Sequence, residues 1–347
     1  VSGPLPRTGT TAEDVLAFDV GGANLKAADG LGWAHSERLE LWRQRAELPA
    51  ALARIVAERR PDRIVATMTG EIADCYASRR EGVADIVAAV VAAAAGCPVG
   101  IYLVDGTIVS PADALTRPRA AAASNWHAVA RLAGHAAPTG RSLLVDVGST
   151  TTDIVPLDRG RPVQRGNDDV GRMTAGELVY TGVERTPVAA LVRRLPWRGR
   201  LRPVATETFA TSRDVWLLLG GLPEEPRCHA TADGGPATRA AAAGRLARMI
   251  LADASDVCAA EAVAMAERCS AAQCRLVARA IAQVAAAAGG PPARIVLSGH
   301  GHCLARRALA ALGWTVDTVS LPETLGPTVS RAAPAHAVAR IARGLLA

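Results

Sequence analysis

The chain has 347 residues, half of them hydrophobic, which is enough for two domains with a sizeable core. Its net charge of +6 rests on Arg, with Lys26 the single lysine, and the Arg residues occur in scattered pairs such as Arg59-Arg60 and Arg306-Arg307. No longer basic run and no RNA- or DNA-binding signature accompanies them, so an anionic small molecule fits the charge better than nucleic acid. The seven cysteines are Cys75, Cys97, Cys228, Cys258, Cys269, Cys274 and Cys303; they are odd in number, widely spaced and form no Cys-x-x-Cys. That pattern argues for reduced thiols in a cytoplasmic protein and against a zinc site. No apolar stretch free of charge is long enough to span a membrane.

Residues 1–13 are polar and rich in Pro and Gly, and read as a disordered lead rather than a signal peptide. Strands are predicted at Val15 to Val20, Leu25 to Asp29 and Leu39 to Trp42. A helix follows from Pro49, with Leu52, Ile55 and Val56 on one face. Ile64 to Thr67 forms a strand that runs into Met68-Thr69-Gly70-Glu71-Ile72-Ala73-Asp74, and sites in α/β folds lie at such strand ends. A helix capped near Ser78 turns Val83, Ile86, Val87, Val90 and Val91 inward. Val99 to Val104 is a strand, and 120–136 a helix interrupted near Ser124-Asn125-Trp126-His127.

Pro138-Thr139-Gly140 marks the domain boundary. It divides a first domain (14–138) from a second (139–347), with the last helix a candidate to return to the first. Strands 143–147 and 152–157 open the second domain, with a third strand from Arg161 to Arg165. Thr211 to Leu219 is helical. Helices cover roughly 237–251 and 256–288, the second with Cys258, Val263, Cys269, Leu276, Val277, Ile281 and Val284 on candidate buried faces. Arg294 to Leu297 is a strand leading into Ser298-Gly299-His300-Gly301-His302 and a helix, so this turn can also meet an anion. A solvent-facing pair is the plainer reading of His300 and His302. Val316 to Ser320 and a helix over 334–346 close the chain.

Two stretches share one layout. Asp19-Val20-Gly21-Gly22-Ala23-Asn24 aligns with Asp146-Val147-Gly148-Ser149-Thr150-Thr151, an offset of 127 residues. Each is an apolar strand ending in Asp, a turn of small residues and a second strand. One such turn alone is an ordinary hairpin. Two in order, half a chain apart, indicate a duplicated unit. Backbone amides of Gly21, Gly22, Gly148 and Ser149, with Asn24 and the hydroxyls of Thr150 and Thr151, are candidate phosphate donors, joined by Gly299 and Gly301. Lys26 places a compact ammonium beside the first turn, where the rest of the chain uses Arg.

This arrangement resembles the acetate kinase/sugar kinase/Hsc70/actin superfamily: α/β, two ribonuclease H-like domains about a central cleft. A narrower resemblance rests on Thr67 to Asp74, Arg80-Glu81-Gly82-Val83, Ser124-Asn125-Trp126, Tyr180-Thr181-Gly182-Val183, Arg185-Thr186-Pro187, Ala210-Thr211 with Asp214-Val215, and Ala232-Asp233-Gly234. These segments are similar to hydantoinase/oxoprolinase-related proteins linked to tetrahydromethanopterin one-carbon metabolism and methanofuran biosynthesis. The late turn departs from that pattern at His300 and His302, where small or acidic residues are expected.

The resemblance implies a transferase. A furanylmethyl diphosphate loses diphosphate and the phenol of a (glutamyl-)tyramine attacks the methylene carbon, giving an ether. It implies Mg²⁺ held through water by Asp19 and Asp146, with Lys26 also catalytic. Glu71 and Asp74 are candidate bases by position, and Arg80, Arg185, Thr186 and Asp214 candidate substrate contacts. The expected partners are small-molecule diphosphate and tyramine-type substrates, with no nucleic acid and no membrane; a homo-oligomer is compatible. Two rivals share the cleft. One is an ATP-dependent small-molecule kinase or amidohydrolase, the other a nucleotide-responsive scaffold without catalysis.

Overall fold

The structure, a computed structural model, describes residues 13–346. The expected disordered lead therefore lies outside the described residues except for Glu13. By contact the chain forms two compact units. One runs to Leu132 and takes in the residues from Ala332 onward; the other is Ala133–Arg331.

The first unit is built on a six-stranded sheet. Its strands are β1 (Val15–Val20), β2 (Asn24–Ala28), β3 (Ala34–Arg38), β4 (Arg63–Met68), β5 (Val99–Tyr102) and β6 (Ile108–Val109), in the spatial order β3-β2-β1-β4-β5-β6. All six residues of β1 are buried. A strand covered on both faces reads as a continuous apolar run, and here the one acid in that run is Asp19. β1 pairs antiparallel with β2, which returns through the Gly21–Ala23 turn, and parallel with β4. The Leu48–Arg59 helix buries Leu52, Ile55 and Val56, and the closing Ala333–Ala342 helix packs on β1, β2 and β4.

The second unit repeats the plan. Its strands are β7 (Arg141–Val147), β8 (Thr152–Asp158), β9 (Arg161–Pro162), β10 (Leu178–Val179), β11 (Arg194–Trp197), β12 (Arg200–Pro203), β13 (Arg294–Ser298) and β14 (Asp317–Ser320). The main sheet has the order β10-β8-β7-β13-β14, with β9 on β8. Again an antiparallel hairpin, β7–β8, is flanked by parallel strands, β13 beside β7 and β14 beside β13. Both units thus carry the ribonuclease H-like order of an antiparallel hairpin followed by parallel strands. The 29-residue helix Ala259–Ala287 buries Met265, Cys269, Val277, Ile281 and Val284 against this unit.

Several elements differ from expectation. The third strand is Ala34–Arg38, not 39–42; Leu41 instead begins a short helix and is fully buried. β3 is a half-exposed edge strand, so its polar sequence carries no strong apolar signal. The third strand of the second unit is only Arg161–Pro162. Val91, Val263 and Leu276 are exposed because each lies off its helix's buried stripe, and Cys258 is exposed as the N-cap preceding the helix at Ala259. The β11–β12 hairpin and the Leu321–Arg331 helix, broken at Gly326, are not anticipated. All seven cysteines are free thiols. Among the described residues no helix is long and apolar enough to cross a membrane.

Candidate functional site

In the first unit the site is assembled around the end of β1. Asp19 and Lys26 are direct cross-strand partners on β1 and β2, and Lys26 Nζ donates to Asp19 Oδ2 at 2.9 Å. The Asp19 carboxyl is fully buried while the lysine side chain keeps 23% of its exposure. A buried carboxylate requires such a counter-charge. Asp19 Oδ1 is buried with no hydrogen-bond partner among the described residues.

The turn itself is closed by Gly21 N–H donating to Asn24 O at 3.0 Å. Gly21 is therefore removed from the set of phosphate donors, and Gly22 and Ala23 amides remain. The segment after β4 is tied to the same turn, because Thr69 and Gly70 N–H both donate to Val20 O. Glu71, next in sequence, is fully buried, whereas Asp74 and Arg80 are exposed.

In the second unit the end of β7 plays the same part with different chemistry. Asp146 is half-buried, and Gly148 N–H closes the turn onto Thr151 O at 2.9 Å. The amides of Ser149 and Thr150 stay outside that turn bond, and their hydroxyls lie 3.4 Å apart. The segment 182–186 packs beneath: Val183 N–H donates to Gly148 O, and Glu184 and Arg185 N–H donate to Ser149 O. A Cβ on Gly182 would lie 2.5 Å from Gly148 O, so only glycine allows this approach.

The turn after β13 closes on the same strand end. Gly299 has φ +79°, and a Cβ there would lie 2.2 Å from Val147 O and 2.6 Å from Asp146 Oδ1. Gly301 N–H donates to Val147 O at 3.0 Å, so it anchors the turn and is not a free phosphate donor.

Three residues form a hydrogen-bonded charged cluster that the sequence did not reveal. His300 Nε2 lies 3.1 Å from Glu184 Oε1, and Arg213 donates to Glu184 Oε2. Burial pushes the Glu184 carboxyl up, but the His300 hydrogen bond and charge, with Arg213 and Arg331, outweigh it and hold it at about 2. An ionised Glu184 orients the imidazole through Nε2 and leaves Nδ1 outside that contact. His300 is thus held in place and half-buried, while His302 is exposed as expected. Glu184 sits inside the 181–187 segment singled out from sequence, but nothing local signals a partner more than a hundred residues away.

Two predicted substrate contacts are structural instead. Thr186 is buried, its hydroxyl bonded to Thr181 Oγ1, Gly182 N–H and Gly182 O. Asp214 is 1% exposed; it accepts from Arg245 Nε at 2.7 Å and from Thr211 N–H in a capping box. Arg185 is exposed. Among the described residues no group of three or more His, Cys, Asp or Glu is placed to hold a metal directly.

Comparison with known proteins agrees with the resemblance read from sequence. The model of the hydantoinase/oxoprolinase family matches residues 62–343. The chain is 31% identical, over 94% of its length and 97% of the relative's, to the (4-{4-[2-(gamma-L-glutamylamino)ethyl]phenoxymethyl}furan-2-yl)methanamine synthase of Methanocaldococcus jannaschii. It is 29% identical to the synthase of the same name from Methanococcus vannielii, over 56% of this chain and 88% of that one. Among solved structures, component A of the Acidaminococcus fermentans (R)-2-hydroxyglutaryl-CoA dehydratase is similar at a TM-score of 0.48 and 12% identity, covering 96% of this chain and 98% of that one.

Proposed function

Because the chain belongs to the hydantoinase/oxoprolinase family, we propose that it is an ether-forming transferase of methanofuran-type cofactor biosynthesis in one-carbon metabolism. The observation that carries this reading is the end-to-end match to a synthase whose product, by its name, holds a phenoxymethyl ether between a glutamylated tyramine and an aminomethylfuran. The substrates are then a furanylmethyl diphosphate and a γ-glutamyl-tyramine. The bond from methylene carbon to diphosphate oxygen breaks, its electron pair leaves with diphosphate, and the phenol oxygen bonds to the carbon.

Charge collects on the leaving diphosphate, so donors placed beforehand supply the largest catalytic effect. In the first unit these are Lys26 Nζ and the Gly22 and Ala23 amides. In the second they are the Ser149 and Thr150 amides and the Ser149, Thr150 and Thr151 hydroxyls. Each turn is a phosphate site in its own right. In the first unit Asp19 Oδ1, a buried acceptor without a partner among the described residues, suits a water of a Mg²⁺ shell; in the second, half-buried Asp146 is the carboxylate at the matching strand end. Bound Mg²⁺ would neutralise phosphate charge.

The phenol, with a pKa of about 10, must lose its proton as the ether forms. His300 Nδ1 takes it, oriented by Glu184 as a carboxylate orients a catalytic histidine. In this reading His300 is the base, with fully buried Glu71 and exposed Asp74 as the alternatives named by position. In the second unit exposed Arg185 is the contact for the one free carboxylate of the γ-glutamyl group, and in the first unit exposed Arg80 is the alternative. The same reading places the enzyme in the cytoplasm, acting on small molecules rather than nucleic acid or membrane.

The test is direct. The protein is incubated with Mg²⁺, the furan diphosphate and γ-glutamyl-tyramine, and the ether is sought by mass spectrometry. Ether and diphosphate are expected in equal amounts. Phosphate released from ATP with no ether formed would overturn the reading in favour of a kinase or amidohydrolase.

A further inference from the structure

We propose that the second unit carries a separate binding site for a small aromatic monocarboxylate, at the opposite end of the β7–β8 hairpin from the Asp146 turn. A cavity of about 250 Å³ opens there between the start of β7, the end of β8 and the last turn of the Ala259–Ala287 helix. A dry apolar cavity of about 150 Å³ already accepts benzene, so a ring with one substituent fits. Leu143, Pro156, Val284 and Ala285 form apolar wall, and the small side chains of Ala287 and Ala288 leave that wall flat. Asp146 and the phosphate turn lie at the far end of the same strands, so the two sites do not share residues.

The charges at the mouth define the ligand. Glu177 lines the cavity, but its carboxylate already accepts from the backbone N–H groups of Arg165 and Gly166, at 2.6 and 3.0 Å. Arg141 faces Asp158 across the strand pair and donates to Ala288 O at 2.7 Å. Arg165 is different. Its guanidinium is exposed, lines the cavity, and makes no ion pair or side-chain hydrogen bond among the described residues. One uncompensated cation over an apolar wall selects an amphipathic anion. The Arg165 guanidinium, with Arg141 engaged on a carbonyl and Asp158 and Glu177 nearby, suits a monoanion better than a phosphate dianion. The planar carboxylate matches the guanidinium fork.

Isothermal titration of the full chain with benzoate, in the presence of saturating inorganic diphosphate, tests the site. One benzoate is expected per chain, with affinity unaltered by diphosphate. Benzyl alcohol and benzylamine are expected to bind at least about tenfold more weakly, as is benzoate to Arg165→Ala, the loss of one charge-assisted contact. Arg165 is exposed, so its substitution leaves folding intact, which a thermal melt verifies. Ala288→Phe, a second variant, should fill the cavity and remove binding. Absence of benzoate binding at millimolar concentration, displacement by diphosphate, or unchanged affinity in Arg165→Ala would each overturn the proposal. None of these outcomes depends on whether the ether is formed.

Discussion

The two acid-tipped turns are the same piece of backbone carrying different electrostatics. In the first unit the acid is sealed in the core and balanced by one lysine directly across the strand pair. In the second the acid is half-buried, the turn is lined by hydroxyls, and the neighbouring charge comes from the Glu184–Arg213–His300 cluster, drawn from three other segments. Duplication preserved the geometry of the turn and left its chemistry to diverge. A point charge suits the leaving diphosphate, while an oriented imidazole suits proton transfer.

The sharpest way to break this division is at Lys26. Lys26→Ala should lower turnover of the folded protein roughly a hundredfold to a thousandfold, since it removes a cation at a developing charge, and should also lower stability because buried Asp19 loses its counter-charge. Full activity in that variant would remove the lysine from the mechanism. His300→Gln should lower kcat by roughly a hundredfold to ten-thousandfold, with little change in KM for the diphosphate, and should recover part of the rate as pH rises toward the phenol's own ionisation. A KM effect alone would make His300 a positioning residue.

The turns should also differ in tolerance. A Cβ at Gly22 meets nothing within 4 Å, whereas one at Gly299 strikes Val147 O and Asp146 in a left-handed conformation. Gly299→Ala should therefore lose about 2 kcal/mol or more in denaturant unfolding, and Gly22→Ala much less. Equal losses would show that the late turn relaxes freely.

The units should respond to acid in different windows. In the first, burial, with Arg340 nearby, lowers the His336 imidazole from 6.5 to about 4, and neither ring nitrogen has a hydrogen-bond partner among the described residues. The unfolded chain takes up that proton first, so stability is full above pH 6.5 and falls toward pH 4. In the second, Glu184 drops from 4.5 to about 2, so its contribution is full above pH 4.5 and is lost on the way down to about 2. Shifts of this size correspond to roughly 3 kcal/mol each. Unfolding followed against pH should lose the upper slope in His336→Leu and the lower slope in Glu184→Gln.

How much could be read from sequence follows from what is local. β1 and β7 were legible because each is a short apolar run leading into Asp and a small-residue turn, and β2 and β8 because a second strand resumes straight after that turn. The Ser78 cap was legible because Ser followed by Glu81 is a local pattern, and the side chain does accept from Glu81 N–H. β3 was misplaced because an edge strand buries little. The β11–β12 hairpin turns through Arg198 and Gly199, both with positive φ, and an Arg-Gly turn lacks the Asn-Gly signature.

At the site, Asp19 and Lys26 were legible because seven residues of hairpin bring them together. The roles of Gly21, Gly148 and Gly301 were not, since which amides close a turn depends on its three-dimensional form. Thr186 and Asp214 looked like substrate contacts because polar residues near Gly turns suit that part; their partners, Gly182 and Arg245, show them to be struts. Glu184, Arg213 and His300 meet only through the fold.

The central claim is that the phenol oxygen displaces diphosphate from the furan methylene. Its most direct test is turnover with the tyramine phenol carrying a heavy oxygen isotope, followed by mass spectrometry of both products. The account predicts the label wholly in the ether and none in the released diphosphate. An ether without the label, or label in phosphate, would contradict it.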